Sequence, residues 1–474
     1  MDQVIQEGRA CASAPAARAR GAAGPRRRFP QGFAMGTILP ALAAIPALAA
    51  PAGAAESVIP PVSAWAALPF VALLLAIALL PLCAHRWWER NHPIVALGLG
   101  FGVFSYYLLS FGPQRMLESL LEYFSFITLI GSLFVVSGEI YLHTERYATP
   151  WLNTALLGVG ALASNLVGTT GASMLLIRPF IRINKPRIRG FHVVFFIFVV
   201  SNIGGALTPV GDPPLFLGYL NGVAFTWSMG RMWPVWLAAL IPVLAIFYVL
   251  DRRSWATLER SQRRPQRGTR FKLEGAGSFV FLLIILAAVF AQTPVREIIM
   301  IAAAAAAHRF ARKSALKAND FTFAPIREVA VLFAGIFMTM VPALDWLALH
   351  ADRLGIRTPG AFFWATGTLS SFLDNAPTYL NFLSAALGLY GLVLGDAAQM
   401  RAFLAGHSRF LQAISAGAVF FGACSYIGNG PNFMVKSIAE HSGVRCPTFM
   451  GYIVRYAIPV LLPVFAAVWI AFFR

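Results

Sequence analysis

Two aspartates have the residue type and the surroundings to do chemistry inside a membrane. Asp212 ends a Gly-Ala-Leu-Thr-Pro-Val-Gly-Asp string and Asp374 lies in a Leu-Asp-Asn-Ala-Pro string, whereas nearly all other acids fall in loops or at the ends of apolar segments. An ionised carboxylate within a bilayer is costly, so it is usually paired, protonated or in contact with a cation. A carboxylate that binds either a proton or a metal ion can support their exchange. The alternative for each aspartate is a structural cap at the N-terminus of a half-helix.

Neutral side chains that carry oxygen lie close in sequence to the two aspartates. Hard cations such as sodium prefer several carboxylate, hydroxyl and carbonyl oxygens together. Asp212 and Asp374 are therefore the predicted sodium ligands, with sodium and protons as transported or coupling ions and no further cofactor. The neutral residues predicted to complete an ion- or substrate-binding site are Ser164, Asn165, Thr169, Thr170, Asn202, Thr208, Asn375, Ser425 and Asn429.

The Asp212 string recurs in the second half of the chain. Residues 205–214 and 422–431 share the pattern G-A-x-[TS]-x-[VI]-G-[DN]-x-P at an offset of 217. The polar pairs in register are Thr208 with Ser425 and Asp212 with Asn429. A weaker match, at an offset of 210, pairs Ser164-Asn165 with Asp374-Asn375. Two elements that repeat at nearly the same offset indicate a duplicated unit.

The rest of the sequence must supply apolar elements that hold these strings in a membrane. The chain is 58% hydrophobic and 12% charged, with a mean hydropathy of +0.67, whereas soluble domains carry about 25% charged residues. We therefore expect an all-α polytopic membrane protein with about ten transmembrane helices, two re-entrant hairpins and two broken helices in inverted repeats.

The predicted domains follow the apolar segments. They are a basic N-region and signal peptide (1–55), N-terminal transmembrane helices (56–120), a first inverted repeat (121–250) with hairpin 151–178 and broken helix 191–220, a basic cytoplasmic loop with linking helices (251–325), and a second inverted repeat (326–474) with hairpin 360–391 and broken helix 410–440. An uncleaved first helix is the alternative to the signal peptide. Cleavage would leave the N-terminus outside.

The distribution of basic residues predicts the hairpins. The chain has 38 Lys and Arg against 20 Asp and Glu, and the predicted inner loops hold 23 of the 38. Cytoplasmic loops are enriched in Lys and Arg. If 151–178 crossed the membrane, the eight basic residues of 252–272 would lie outside. The count therefore favours a hairpin at 151–178 with both ends on the cytoplasmic side. It favours, less strongly, a second hairpin at 360–391 with both ends outside.

The Gly- and Pro-rich strings are predicted to be helix breaks. Lipid cannot hydrogen-bond to the backbone groups that a break exposes, so a break must face protein, water or a bound solute. Inverted repeats whose broken helices meet near the midplane are the architecture of secondary transporters. A proline kink that only bends a packed helix is the alternative. It does not explain why polar residues recur in register at both breaks.

These motifs resemble those of the ion transporter superfamily. Within it they resemble NhaD-type sodium/proton antiporters and the neighbouring citrate transporter group, over about residues 90–472. The strings that carry the resemblance are Gly204-Gly205-Ala-Leu-Thr-Pro-Val-Gly-Asp212, Ser164-Asn165-Leu with Thr169-Thr170, and Leu373-Asp374-Asn375-Ala-Pro377. The resemblance implies a midplane site, homodimers and elevator motion. It implies ion-site roles for Asp212, Asp374, Asn165, Thr208 and Asn375. At the first hairpin, this chain has Ser164 at the position where NhaD-type proteins have Asp.

Two functions remain open on this evidence. A sodium/proton antiporter is favoured because two buried acids suit a cation, and Arg178, the best anion-binding candidate, lies at the inner end of the first hairpin. The alternative is a sodium- or proton-coupled transporter of citrate or another carboxylate. We expect an integral protein of a bacterial-type inner membrane that contacts lipid and a small cation or carboxylate, and no nucleic acid. We expect no enzymatic activity, because the Gly-x-Gly-Asp motif of intramembrane aspartyl proteases has Pro209 at its first glycine.

Overall fold

The computed structural model describes residues 60–474 except 144–147, 186, 259–271, 320, 351–354, 393 and 395. Seven helices in these ranges are long and apolar enough to cross a membrane, by length and composition. The protein is thus, as predicted, an all-α polytopic membrane protein. The predicted signal peptide and most of the basic loop lie outside the described residues. The expected number of ten transmembrane helices stays a prediction.

The described residues form α-helices and one short antiparallel β-ribbon. The α-helices are α1 Leu68–Cys83, α2 His85–Ser110, α3 Gln114–Gly138, α4 Pro150–Ile183, α5 Gly190–Val199, α6 Pro213–Leu220, α7 Phe225–Ala256, α8 Ser278–Ala288, α9 Val295–Phe310, α10 Lys313–Ala318, α11 Ala324–His350, α12 Pro359–Ser370, α13 Asn375–Gly388, α14 Ala397–Phe421, α15 Gly430–His441, α16 Phe449–Tyr452 and α17 Leu462–Phe472. Strands β1 Tyr141–His143 and β2 Lys272–Glu274 pair antiparallel, and a π-helical stretch, Ile453–Leu461, joins α16 to α17.

The element α4 is a hairpin of two helices. Gly168, with φ 78° and ψ 155°, interrupts the helix at its centre, and this left-handed φ favours glycine because it has no Cβ. The two ends meet again, since Asn153 Nδ2 donates to Asn184 Oδ1 at 2.7 Å. A straight helix would separate these residues by about 46 Å. We call residues 150–183 hairpin 1; the segment predicted as 151–178 is five residues longer at its C-terminal end.

Helices α12 and α13 form the second hairpin, residues 359–388, which we call hairpin 2. Its turn spans Ser371 to Asp374, and apolar side chains of both its helices pack against α14. The segment predicted as 360–391 corresponds closely to it. The two hairpins have the same construction but lie in different halves of the chain.

Helix α7 shows that the two hairpins enter from opposite ends of the bundle. Its Asp251 accepts a hydrogen bond from Asn153 at the base of hairpin 1, at 2.8 Å. Near its other end, Arg231 O accepts from Gln412 Nε2 of α14, at 2.6 Å, and Trp227 packs against the apolar cluster of hairpin 2. Twenty residues of helix, or about 30 Å, separate these contacts, which is about the thickness of the hydrocarbon core.

Each predicted broken helix is interrupted at its Gly-rich string. In the first, α5 ends at Val199, a short 3-10 turn spans Ile203–Leu207, and α6 begins at Pro213. In the second, α14 ends at Phe421, and the chain resumes as α15 after Asn429. We call residues 200–212 break 1 and 422–429 break 2. The chain turns so tightly in break 1 that a Cβ on Gly211 would clash with Gly205 O.

Candidate functional site

Asp212 lies where both hairpins and break 2 meet. Its side chain is 1% exposed. Its Oδ1 accepts from Thr169 Oγ1 of hairpin 1 at 2.7 Å and from Asn429 Nδ2 of break 2 at 3.1 Å. Its Oδ2 accepts from Asn375 Nδ2 of hairpin 2 at 2.6 Å. One carboxylate therefore connects the two halves of the protein.

All three side chains that donate to Asp212 are neutral. Among the described residues, no Lys, Arg or His forms a hydrogen bond or an ion pair with this carboxylate. Three donors can stabilise an ionised carboxylate, but they do not cancel its charge. Asp212 also precedes the first turn of α6, where the helix dipole favours a negative charge. When Asp212 is ionised, the site thus holds a buried negative charge that a proton or a cation could neutralise.

Asn375 supplies an oxygen without a partner beside this charge. Its Nδ2 is bound to Asp212, but its Oδ1 is buried and accepts no hydrogen bond from the described residues. A buried polar atom without a partner is rare in folded proteins. An amide oxygen next to a carboxylate is suited to a hard cation.

Asp374 borders the site rather than joining its hydrogen bonds. It is half-buried, and it comes directly before α13 without a side-chain hydrogen bond to the first turn of that helix. Its neighbour in the chain, Asn375, is the residue of hairpin 2 that donates to Asp212. Asp212 likewise makes no side-chain hydrogen bond to the start of α6, so neither aspartate is a side-chain cap of the helix that follows it.

Three predicted residues of the first repeat hold hairpin 1 against break 1. Ser164 Oγ donates to Val200 O at 2.7 Å, and Thr208 Oγ1 donates to Asn165 O at 2.6 Å. The Asn165 amide donates to Gly204 O at 2.7 Å and accepts from the backbone N–H of Leu207 at 2.9 Å. Because their polar atoms are engaged in this way, these residues position the turn of hairpin 1 and do not contact Asp212.

The second repeat has the same contacts at different residues. Ser370 Oγ donates to Ala418 O at 2.6 Å, and Ser425 Oγ donates to Ser371 O, as Ser164 and Thr208 do in the first repeat. Ser370-Ser371 is therefore the counterpart of Ser164-Asn165, and the sequence match to Asp374-Asn375 at an offset of 210 is wrong by four residues. At the corrected offset of 206, Asn375 is the counterpart of Thr169, and both donate to Asp212.

Asparagines join the two breaks directly. Asn202 Nδ2 donates to Asn432 Oδ1 at 2.8 Å, and Asn429 Nδ2 lies 3.3 Å from Asn202 Oδ1. Asn432 also donates to Ser425 O at 2.9 Å. Thr170, by contrast, is buried but forms no hydrogen bond among the described residues. The structure thus brings Thr169, Asn375 and Asn429 to Asp212 and leaves Thr170 out.

Asp212 is not alone among the described acids in being fully buried. Four other acids are at most 1% exposed, and they are Glu139, Asp251, Glu297 and Asp345. Arginine contacts three of them, through the pairs Arg187–Asp251, Arg296–Glu297 and Arg115–Asp345. Glu139 accepts from Ser278 Oγ at 3.0 Å and lies 3.6 Å from His308 Nδ1. Asp212 differs from the three arginine-paired acids because its partners are neutral.

Comparisons with known proteins agree with this architecture. A family model described as "Putative citrate transport" matches residues 60–473. A protein of Mycobacterium tuberculosis strain H37Rv, named an uncharacterized transporter, is 25% identical over 346 residues, which cover 66% of this chain and 78% of the relative. A second uncharacterized transporter of that strain is 26% identical over 311 residues, covering 61% of this chain and 69% of the relative. The chain is therefore a membrane transporter that belongs to the family described as "Putative citrate transport".

Proposed function

We propose that this transporter exchanges sodium for protons and that Asp212 carries either ion. The observation that supports the proposal most directly is the buried Asp212 carboxylate, whose three hydrogen-bond donors are all neutral. A carboxylate that arginine already neutralises would gain little from a second cation. Asp212 can be neutralised by a proton or by sodium, but a single carboxylate does not favour both at once.

The neighbouring oxygens would complete a sodium site. Asn375 Oδ1 has no partner among the described residues and belongs to the amide that contacts Asp212, and Asp374 directly precedes Asn375 in the chain. In this proposal Asp374 would supply the second carboxylate of the sodium site, whose ion would offset the negative charge. Because Asp212 accepts hydrogen bonds from both hairpins, the ion that it holds would affect the contacts of both. In this proposal the chain acts as a homodimer in a bacterial-type inner membrane.

A coupled citrate or carboxylate transporter is the second candidate, and the description of the family favours it. In that case the aspartates would hold the coupling ion, and amide and hydroxyl donors would hold the substrate. Arg178, the predicted anion-binding candidate, is buried with its guanidinium 4.8 Å from the centre of the Phe134 ring and donates to Ser137 Oγ at 3.1 Å. A site without arginine suits a polyanion less well than a cation.

Transport by the purified protein in sealed vesicles would distinguish the two candidates. An acidic interior is imposed, and sodium, lithium, potassium or citrate is then added outside at two pH values. We expect sodium or lithium to dissipate the pH gradient, potassium to do so less, and labelled citrate not to accumulate. If citrate accumulates with a sodium or proton gradient while sodium alone leaves the pH gradient intact, the antiporter proposal is wrong and the carboxylate alternative stands.

A further inference from the structure

A groove of about 610 Å³ opens at the base of hairpin 2, on the far side of that hairpin from its turn. Its walls come from the start of α12, from α14 and from the end of α17. The residues that define this groove, called the basal groove below, include Thr358, Gly360, Trp364, Arg409, Trp469 and Arg474. About 10 Å of helix separates Trp364, the groove residue of α12 nearest the turn, from Ser371, where the turn of hairpin 2 begins. The basal groove is thus separate from the proposed ion site.

The polar side chains of the basal groove are mainly hydrogen-bond donors. Arg409 and Arg474 are exposed, and neither forms an ion pair or a hydrogen bond within the described part of the chain. The indole N–H groups of Trp364 and Trp469 likewise have no acceptor among those residues. No aspartate or glutamate of the described ranges lines the groove. Arg409 and Arg474 therefore give the groove a positive charge that no described side chain balances.

The remaining walls of the groove are aromatic and apolar. The rings of Trp364 and Trp469 meet edge to face, with centroids 6.3 Å apart, and the ring of Phe473 lies 5.1 Å from that of Phe363. Close by on α17, Ile470 is 55% exposed, as expected of a side chain that faces lipid. Tryptophan is enriched at the level of lipid headgroups, and arginine extends toward them from an apolar surface. The basal groove therefore combines cationic donors with apolar walls at one end of the bundle.

We propose that the basal groove binds one anionic phospholipid. Its phosphodiester would accept hydrogen bonds from Arg409 and Arg474, since guanidinium matches phosphate in geometry and charge. Its acyl chains would run along the rings of Trp364 and Trp469 toward the bilayer. A free inorganic anion would use the arginines only, whereas a phospholipid uses both the arginines and the aromatic walls. The lipid would lie between hairpin 2 and α17 and would stabilise the base of that hairpin.

Lipid binding to the purified full-length chain in detergent micelles tests this proposal. Native mass spectrometry and thermal melting are measured while phosphatidylglycerol or phosphatidylcholine is added. We expect one tightly held phosphatidylglycerol per chain and a melting temperature that rises with phosphatidylglycerol but not with phosphatidylcholine, because a ligand that binds only the folded state stabilises it. Arg409→Gln should weaken phosphatidylglycerol binding by about tenfold.

A matched control and a second probe make the test decisive. Arg401 is an exposed arginine on the same helix as Arg409 but does not line the groove, so Arg401→Gln should bind phosphatidylglycerol like the wild type. Equal binding by the two variants would overturn the proposal. So would an equal rise in melting temperature with glycerol phosphate, because that result would describe a site for a free anion. If Arg409→Gln does not fold, Arg474→Gln is tested in the same way and should weaken binding.

Discussion

Asp212 and Asp251 are both buried, yet their surroundings are opposite. Asp251, at the base of hairpin 1, pairs with Arg187, whose Nη2 lies 3.0 Å from Oδ2, and its Oδ1 lies 3.0 Å from His192 Nε2. The His192 side chain is fully buried in this network. Asp212, at the turn of the same hairpin, has only neutral partners.

The contrast shows that partners, rather than burial, distinguish the two roles. At Asp251, the Arg187 guanidinium balances the charge, and Asn153 and Asn184 join both ends of hairpin 1 to this network. At Asp212, no described side chain balances the charge. Hairpin 1 is therefore held at its base by an ion pair, whereas in the proposed function the contact at its turn would depend on the ion that Asp212 carries.

The largest expected effect is the loss of transport in Asp212→Asn. The variant keeps the size of the side chain but cannot carry the negative charge that binds a cation. We expect the exchange of sodium for protons in vesicles to fall by at least about 100-fold, an effect typical of removing a central charged group. The melting temperature should stay equal or rise, because an unbalanced buried charge has been removed.

Asp251→Asn is the matched variant for that experiment. It should transport normally per folded molecule, because it lies outside the proposed ion site. If Asp212→Asn still exchanges sodium for protons, the assignment of the ion site to Asp212 is wrong. If Asp251→Asn remains as stable as the wild type but loses transport, the contrast between the two aspartates does not hold.

The next largest effect is on folding, and it concerns Asp251. Its replacement by asparagine leaves Arg187 buried without a counter-charge, which typically destabilises a protein by about 3–5 kcal/mol. We expect a clear fall in melting temperature and in the yield of monodisperse protein. The double variant Asp251→Leu, Arg187→Met should recover much of this stability, since apolar residues can replace a buried ion pair at little cost. A double variant no more stable than Asp251→Asn would contradict this explanation.

The sequence predicted the elements of the site better than the contacts within it. Glycine and proline strings marked both breaks, because few other residues permit such tight turns. The excess of basic residues in the inner loops indicated a hairpin at 151–178, which the structure has at 150–183. By contrast, Asp251 lies just beyond the apolar run of its helix, so composition could not show that it is buried.

The register of the two hairpins shows a second limit of sequence reasoning. The match of Ser164-Asn165 to Asp374-Asn375 rested on one shared asparagine, but the turn is positioned by serine and threonine hydroxyls that bind backbone carbonyls. Serine and threonine are interchangeable in that role. Because every residue has a backbone carbonyl, the acceptors cannot be identified from residue type. Ser370 and Ser371 could therefore be recognised only once the backbone was known.

The smallest expected effect concerns Thr169. This residue donates a hydrogen bond to Asp212, whereas its neighbour Thr170 is buried and does not. Thr169→Val keeps the shape of the side chain but removes the hydrogen bond of 2.7 Å to Asp212 Oδ1. A hydrogen bond to a charged group contributes about 1.5–3 kcal/mol. Because the ionised carboxylate loses one of its three donors, more sodium is needed to displace the proton, and the apparent KM for sodium should rise by about tenfold with a smaller change in kcat.

Thr170→Val is the control and should leave the KM unchanged, since the Thr170 side chain makes no hydrogen bond among the described residues. Equal shifts in the two variants would show that packing at the turn, rather than the bond to Asp212, sets the affinity for sodium.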